Sequence, residues 1–271
     1  MKRSHFIALV AASIAFLVML PIALCLCGHA LDPMTPNPNL ASAAPNFQQW
    51  AGRDELGRSV LARVSLAAGL SLGAASFALL LALSLAMLLG GLAGWYHGQW
   101  PDRLISWVIA LLHTIPFFLL VVVAAAIWRP GLFGAFLIVG LFVWAAPARL
   151  ARAEFLRLRR APHVTAARAM GFPASTIFLR QTLPVAFLPA FTAVLILTPE
   201  LIGLDVGLGF FGLGAQPPTP TLGRLLYAGL SSLNSAPWLA VAPCAIVIAL
   251  SVTAFGLARL WAKSIPTSTR A

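Results

Sequence analysis

The chain consists mainly of long apolar runs separated by short polar segments. The runs cover about residues 6–26, 70–96, 104–128 and 132–148, a fifth begins near residue 183, and a sixth covers about residues 239–261. Most of them reach the ~20 residues that an α-helix needs to cross ~30 Å of hydrocarbon. Only 9% of the residues are charged, whereas a soluble domain carries roughly a quarter. We therefore expect an all-α polytopic membrane protein with six transmembrane helices, and we exclude a water-soluble fold.

The distribution of positive charge predicts the orientation in the membrane. With six spans and the N-terminus inside, thirteen of the eighteen Lys and Arg residues fall on the cytoplasmic side. The other five are Arg53, Arg58, Arg63, Arg129 and Arg224. Cytoplasmic loops of membrane proteins carry an excess of Lys and Arg, so we expect both termini in the cytoplasm. The net charge of +11 then reflects membrane topology, and we expect no nucleic-acid partner.

The first apolar run, from Phe6 to about Leu26, has the basic start and the apolar centre of a signal peptide. The run is long, however, and no small-x-small cleavage site closes it before Cys27. We therefore interpret it as an uncleaved first span. The Pro- and Asn-rich residues 31–50 that follow are interpreted as an exported loop.

The longest polar interval, residues 149–184, contains seven arginines and one acid. Residues 165–170 favour helix, Gly171 and Pro173 interrupt it, and residues 174–183 are able to form a second helix. Gly171 suits a left-handed C-cap, and a proline just beyond it prevents the first helix from continuing. The pattern predicts two short helices joined at a corner, which form a compact knob suited to a groove on a second protein. An ordinary basic cytoplasmic loop is the alternative.

This interval resembles the coupling loop of ABC-importer permeases, the "EAA…G" loop that docks on the ATPase subunit. The matching residues are Thr165-Ala166-Ala167, Gly171, Ile177 and Leu183-Pro184. The family has Glu at the position of Thr165, so any ion pair made there to the ATPase must be replaced or absent. The resemblance implies a coupling loop over residues 149–183. The residues that we assign to ATPase coupling are Thr165, Ala166, Ala167, Arg168, Gly171 and Phe172.

Two further segments resemble permeases of the dipeptide, oligopeptide and nickel importers. The first resembles "GTDxLGRDxLSR" and matches it at Gly52, Asp54, Leu56, Gly57, Arg58, Leu61 and Arg63. It predicts a tight Leu-Gly turn before an interfacial helix from Ser59 to about Ala68. The second, residues 208–223, resembles "LSFLGLGxQPPTPxWG", with Leu222 in place of the usual Trp. The residues that we assign to structural motifs are Gly52, Asp54, Gly57, Arg58, Arg63, Gly212, Gly214, Pro217 and Pro218.

Candidates for the translocation path lie in the third and fifth spans. His113 is polar at mid-depth, where such residues line water-filled paths or bond to a neighbouring helix, and both readings stay open. Pro116 frees a backbone carbonyl and predicts a kink. From Leu201 onward the many glycines predict irregular backbone, which survives at membrane depth only where protein or a cavity covers it. The residues that we assign to the path or its gate are His113, Pro116, Asp205, Phe210 and Phe211.

The resemblance covers about residues 52–261 and implies the type I ABC importer permease fold, six transmembrane helices with a cytoplasmic coupling helix. We divide the chain into residues 1–66, with the first span, the periplasmic loop and the interfacial helix, and residues 67–271, the permease domain. The implied location is a bacterial inner membrane, and the implied mechanism is ATP-driven alternating access.

The partners that the resemblance implies are a homologous second permease in a heterodimer, two ABC ATPase subunits, a periplasmic or extracellular solute-binding protein, and membrane lipids. Peptides are the expected cargo by family frequency. Nickel or a metal chelate is the alternative cargo. We expect no cofactor bound by this chain, with ATP and Mg²⁺ held by the ATPase subunits.

No catalytic or metal-binding constellation is apparent in the sequence. A P-loop needs Gly-x-x-x-x-Gly-Lys followed by Ser or Thr, and no glycine stands before Lys263-Ser264 to begin one. Cys25, Cys27 and Cys244 lack the spacing of a metal site. We therefore expect a protein that is not an enzyme.

Two other classes of function use the same polar residues. An intramembrane protease with Asp205 or His113 as its acid–base group has no visible partner group for either. A secondary carrier driven by an ion gradient would place Glu200, Asp205 or His113 at mid-membrane. Such a carrier has no obvious use for an arginine-rich corner, and the two halves of the chain show no repeat.

Overall fold

The computed structural model of the chain describes residues 3–47, 49–128, 131–213 and 218–264. In these ranges the regular secondary structure is helical, apart from isolated bridges in the loop before the second long helix. Among the described residues, five continuous helices are long and apolar enough to cross a membrane. They are Ala8–Ala30, Val60–Trp95, Gly131–Arg159, Ala174–Gly209 and Trp238–Lys263. Counting a bent pair of shorter helices as one span gives six, as the sequence predicts.

The helices within these spans and the loops between them have the following bounds. In chain order they are α1 (Arg3–Ile14), α2 (Leu20–Ala30), α3 (Val60–Leu85), α4 (Gly91–Trp95), α5 (Trp100–Thr114), α6 (Phe117–Trp128), α7 (Gly131–Val143), α8 (Ala145–Arg159), α9 (Pro162–Ala169), α10 (Ala174–Thr176), α11 (Leu183–Phe210), α12 (Leu222–Ser231) and α13 (Trp238–Ser264). Turns of π-helix at Ala15–Met19, Ala86–Gly90 and Ile177–Thr182 join α1 to α2, α3 to α4 and α10 to α11 without ending the helix.

Two helices extend further than the sequence predicts. Ser59 caps α3, since its hydroxyl accepts a hydrogen bond from the Ala62 amide at 3.3 Å, and no helix breaker follows. The helix therefore runs from Val60 straight into the second span, so the expected interfacial helix is the start of that span. The boundary between residues 66 and 67 falls inside the same helix. In the same way, α8 carries the fourth span into the arginine-rich interval.

The prediction of irregular backbone after Leu201 is wrong, because α11 runs unbroken to Phe210. The glycines serve helix packing instead. A Cβ added at Gly209 would lie 2.6 Å from the Gly223 carbonyl carbon, and one added at Gly223 would lie 2.5 Å from the Asp205 carbonyl oxygen. Small residues allow membrane helices to approach this closely. The helix persists because every peptide group in hydrocarbon needs a hydrogen-bond partner.

A second close contact joins the α3–α4 span to α8. Gly90 and Gly94 lie on one helix face, four residues apart. A Cβ added at Gly90 would lie 2.4 Å from the Ala148 carbonyl oxygen, and one added at Gly94 would lie 2.5 Å from the Arg152 carbonyl oxygen. The two helices therefore touch backbone to backbone where the chain enters the arginine-rich interval.

The third span is broken at Pro116, as predicted. α5 ends at Thr114, α6 begins at Phe117, and the two helices are bent by 83° relative to each other. Proline lacks an amide hydrogen and its ring clashes with the preceding turn, so a straight helix is not possible here. Broken backbone at membrane depth has to be covered by protein or line a cavity.

Candidate functional site

The corner of the coupling loop is a helix end closed by glycine. α9 ends at Ala169, and Gly171 has a φ of +80°. The Gly171 amide donates to the Arg168 carbonyl at 3.0 Å, and the Phe172 amide donates to the Ala167 carbonyl at 3.1 Å. This is the Schellman arrangement, in which a left-handed residue satisfies the last carbonyls of a helix. The predicted short helix before Gly171 is present as α9, but the second short helix is not a separate element, because the helix that begins at Ala174 continues into the fifth span as far as Gly209.

The corner is packed onto the end of α4. Val164, Ala167 and Ile177 are buried, with exposed fractions of 0%, 1% and 0%, and they pack with Trp95. The Arg168 guanidinium lies over the Trp95 ring, 5.3 Å from its centroid, in a cation–π contact. Because this cluster fixes the base of the corner, we expect the corner to move together with α4.

The outer face of the corner is exposed and largely uncharged. Met170 is 69% exposed and Phe172 is 47% exposed. The Thr165 hydroxyl donates to the Pro162 carbonyl at 2.8 Å, so the side chain at the family's Glu position bonds within its own helix. Of the six residues assigned to ATPase coupling, five are exposed and Ala167 is buried at the base. Exposed apolar patches of this kind mark interaction surfaces.

Five of the seven arginines in the interval contact other groups of this chain. Their partners are His113 for Arg149, Asp102 for Arg152, Glu154 for Arg157, the Trp95 carbonyl for Arg159 and the Trp95 ring for Arg168. The sequence predicts these charges as part of the docking knob. In the structure most of them tie the loop to the helices beneath it, and the exposed face of the corner is mainly apolar.

A buried carboxylate, Asp102, ties the loop before α5 to α8. Its side chain is 6% exposed. It accepts hydrogen bonds from Arg152 Nε at 2.6 Å and Nη2 at 3.0 Å, from the Gly98 amide at 2.9 Å and from Ser106 Oγ at 3.2 Å. Two-pronged arginine–carboxylate contacts are among the stronger ion pairs. Sequence reasoning missed this pair because its members are 50 residues apart. The one available signal was a lone acid in the first turn of a helix, where acids are favoured.

A cavity of about 380 Å³ opens at the break in the third span. The α5–α6 break, the α7–α8 junction and α11 line it, and His113 and Pro116 both contribute. His113 Nδ1 donates to the Ile109 carbonyl at 2.8 Å, and its Nε2 accepts from Arg149 Nη2 at 2.8 Å. His113 therefore faces the cavity and also bonds to a neighbouring helix. Glu200 of α11 lines the same cavity, although the sequence indicated it only for the alternative of an ion-driven carrier.

Asp205 lies away from this cavity. Its side chain is fully buried, and its Oδ2 accepts from Ser71 Oγ at 2.6 Å between α11 and α3. Its Oδ1 has no hydrogen-bond partner among the described residues. The assignment of Asp205 to the path stays a prediction: Asp205→Ala should lower transport more than assembly. Loss of assembly would show that the carboxylate only holds the helices together.

The two phenylalanines assigned to the gate lie at the end of α11, Phe210 as its last residue and Phe211 directly after it. Phe211 is 62% exposed, and its ring centroid lies 6.1 Å from that of Phe118 at the start of α6. The side chain of Phe210 lies outside the described part of the structure. Phe211 therefore lies beside the first turn of α6 in the broken span, and its role in gating stays a prediction.

The motif before the second span is organised around Asp54. Its carboxylate accepts hydrogen bonds from the Leu56 amide at 3.0 Å, the Arg58 amide at 2.8 Å and Arg58 Nε at 2.8 Å, and it also pairs with Arg63. Burial would raise the pKa of Asp54, but the hydrogen bonds from Arg58 and the charges of Arg63 and Arg58 outweigh it and hold the pKa below its ordinary value. Gly57 has a φ of +72°, and a Cβ there would collide with the preceding loop. The predicted Leu-Gly turn is therefore present.

Three further residues assigned to structural motifs, Gly52, Gly212 and Pro218, lie in or beside turns. The Gly52 amide donates to the Gln49 carbonyl at 2.9 Å in the loop before α3, and Gly212 follows the last turn of α11. Pro218 lies in a turn before α12. Gly214 and Pro217 lie outside the described residues.

Potential metal ligands are scattered in the structure. Among the described residues, no three His, Cys, Asp or Glu side chains are grouped so that they could hold a metal ion. The three cysteines are unpaired.

Comparison with known proteins identifies the family to which this chain is similar. Residues 86–265 match the family described as "Binding-protein-dependent transport system inner membrane component". The chain is 34% identical over 217 residues to the Glutathione transport system permease protein GsiD of Pectobacterium atrosepticum, which covers 79% of this chain and 70% of the relative. The proteins of that name from Escherichia coli and Shigella boydii align with the same identity and coverage.

The matched region includes the coupling corner, the broken span and the cavity beside it. Proteins of this family are non-catalytic subunits that transport solutes together with ATPase subunits and a binding protein. With the apolar helices of the structure, this makes the chain a multi-pass protein of the inner membrane. The chain therefore belongs to the family of binding-protein-dependent transport system inner membrane components, and it is a permease subunit of an ABC importer.

Proposed function

We propose that this permease forms half of a translocation path for small peptides or peptide-like compounds, in a heterodimer with a homologous permease. The relatives that support this cargo are named as permeases for glutathione, which is itself a small peptide. Both termini lie in the cytoplasm, in agreement with the bias of Lys and Arg. The chain itself binds no cofactor, and ATP with Mg²⁺ is held by the ATPase subunits.

The exposed corner on a fixed base is the observation that carries the coupling role. Met170 and Phe172 project from the corner, while Val164 and Ile177 hold its base against Trp95. An apolar projection without a compensating core of its own gains stability when a groove on another protein covers it. The ATPase subunit is the partner that we assign to this face.

The packing beneath the corner explains how movement of the ATPase reaches the spans. The base of the corner is attached to α4, and α8 is attached to the same span through the contacts of Gly90 and Gly94. The Asp102–Arg152 pair adds a link from α8 to α5. When ATP closes the ATPase dimer, a displacement of the corner is therefore passed to several helices and not absorbed by a loose loop. The spans then tilt and open the path outward.

Cross-linking from the corner tests its position and its partner. In a variant without the native cysteines, Met170→Cys should cross-link to an ATPase subunit in the assembled transporter. Leu56→Cys is a matched control, since Leu56 is 52% exposed in the outer loop, and it should not reach the ATPase. Cross-linking of the corner to the binding protein instead would overturn the docking role and the cytoplasmic position of the termini.

Uptake by proteoliposomes that contain the complete transporter tests the cargo. Glutathione and a simple dipeptide, offered with the binding protein, should accumulate only when ATP is hydrolysed. Uptake of nickel or of a nickel chelate without uptake of either peptide would contradict the peptide assignment.

A further inference from the structure

Glu200 is an acidic residue within a membrane span. It lies on the face of α11 that also carries Ile196 and Gly203, and all three are exposed, whereas Leu201 and Ile202 are fully buried. Within the described residues, no hydrogen-bond donor or cationic side chain contacts its carboxylate. Elsewhere in the chain, the buried carboxylates of Asp54, Asp102 and Asp205 all have partners, so Glu200 differs from them.

The face of α11 that carries Glu200 is unsuited to contact with lipid. A charged side chain inside the hydrocarbon region is costly, and such residues face the bundle interior, another subunit or a water-filled cavity. A Cβ added at Gly203 would meet no atom within 4 Å, so open space lies beside the helix next to Glu200. The face therefore borders either a path or a partner subunit.

The cavity at the broken span favours a path. Glu200 and Leu197 line it together with His113 and Pro116. Its volume of about 380 Å³ lies within the range of roughly 300–1,000 Å³ that is usual for small-ligand sites. Discontinuous helices near the bilayer midplane commonly form such sites in transporters.

Glu200 is the acidic side chain in the lining of the cavity, and the cationic Arg149 beside the cavity bonds to His113 and not to Glu200. The imidazole of His113 is occupied, since it donates to the Ile109 carbonyl and accepts from Arg149. The carboxylate of Glu200 carries a formal negative charge and has no partner among the described residues.

We propose that Glu200 lies in the translocation path and binds the ammonium group of the cargo as it passes. The inference rests on the proposed function, since a peptide with a free amino terminus carries such a group. Glu200 is then a contact for the cargo inside the membrane, separate from selection by the binding protein outside.

Thiol reagents measure the charge of the cavity in the assembled transporter. In a variant without the native cysteines, Leu197→Cys should react several-fold faster with a cationic methanethiosulfonate than with an anionic one of similar size. Adding Glu200→Gln should remove that preference. Leu195→Cys is the matched control, because Leu195 is 0% exposed two residues away, and it should react with neither reagent. Equal rates with Glu200 intact, or no reaction at position 197, would overturn the proposal.

Protection by a ligand tests the ammonium contact. A dipeptide with a free amino group, at millimolar concentration, should slow the labelling at position 197 several-fold, and its N-acetylated form should not. Equal protection by both forms, or by neither, would refute the ammonium contact. ATP-driven uptake of peptides would in that case still uphold the proposed function.

A subunit contact is the competing role for Glu200. Loss of co-purification of the two permeases in Glu200→Gln would show that this carboxylate faces the partner permease and would overturn the assignment to the path. Intact co-purification, together with binding-protein-stimulated ATP hydrolysis, is the result that we expect.

Discussion

Replacement of Gly171 by valine should separate ATP hydrolysis from transport. Gly171 has a φ of +80°, and the left-handed region costs a residue with a side chain about 1–2 kcal/mol, with β-branched residues at the upper end. A Cβ at this position would meet no atom within 4 Å. The perturbation is therefore confined to the backbone of the corner, without a steric clash.

The contacts of the corner set the size of the effect. Two hydrogen bonds, donated by the Gly171 and Phe172 amides, hold the left-handed turn, and each contributes about 0.5–1.5 kcal/mol. A strain of about 2 kcal/mol thus offsets most of what they supply, and it lowers the population of the native corner relative to other conformers about 30-fold. In the unchanged protein the native corner is strongly favoured. In Gly171→Val we expect it in only about half of the molecules, with Phe172 displaced in the rest.

The assay is the amount of cargo transported per ATP hydrolysed in proteoliposomes, with co-purification of the ATPase as the test of assembly. We expect the ratio to fall at least twofold in Gly171→Val while the complex remains assembled. Gly131→Val is the matched control, because Gly131 has a φ of +71° and open space around a Cβ, but lies at the start of α7 away from the corner. Normal coupling in Gly171→Val, or an equal loss in the control, would refute the reasoning.

Three further predictions concern stability. Asp102→Asn should lower the free energy of unfolding of the purified complex by about 2–3 kcal/mol, less than the roughly 3–5 kcal/mol of a fully buried pair. The loss is smaller because the Arg152 side chain is 29% exposed and water can reach it. An unchanged melting temperature would contradict this role. Gly94→Ala should lower the free energy of unfolding by about 1–3 kcal/mol through overpacking, since its Cβ would lie 2.5 Å from a backbone oxygen. Gly203→Ala is the control, because a Cβ there meets no atom within 4 Å, and this variant should be neutral or slightly more stable. The pKa of Asp54 in the folded protein lies below its ordinary value of 3.8. The ionised carboxylate therefore stabilises the folded loop fully above about pH 3.8, and this contribution is lost as the pH falls below that value. Protease resistance of the loop that contains Asp54 should therefore stay constant from pH 8 to pH 5 and decrease below about pH 3.8. A decrease near neutral pH would point to another group.

The coupling corner shows what local sequence can predict. A helix-favouring stretch, a glycine and a proline two residues later specify where a helix ends, because the capping bonds involve neighbours in the chain. The Leu-Gly turn before α3 was predictable for the same reason, since Asp54 accepts hydrogen bonds from the amides two and four residues ahead. Both features are present where the sequence placed them.

The glycine-rich end of α11 shows where local reasoning failed. Glycine weakens a helix in water, and on that ground the sequence predicted irregular backbone after Leu201. In the structure Gly209 and Gly223 face each other across two helices. The choice between a break and a packing contact depends on which helix lies opposite, and this is not visible in one segment of sequence.

The sequence by itself determined the membrane class, the arginine-rich corner and the kink at Pro116. Each of these follows from composition or from interactions between close neighbours in the chain, which act before any tertiary contact exists. Only the tertiary structure decided that Arg152 binds Asp102, that most arginines of the loop hold it to the bundle, and that Glu200 meets His113 at one cavity. These depend on the distances between residues tens of positions apart, and such distances are set by how the helices pack against each other.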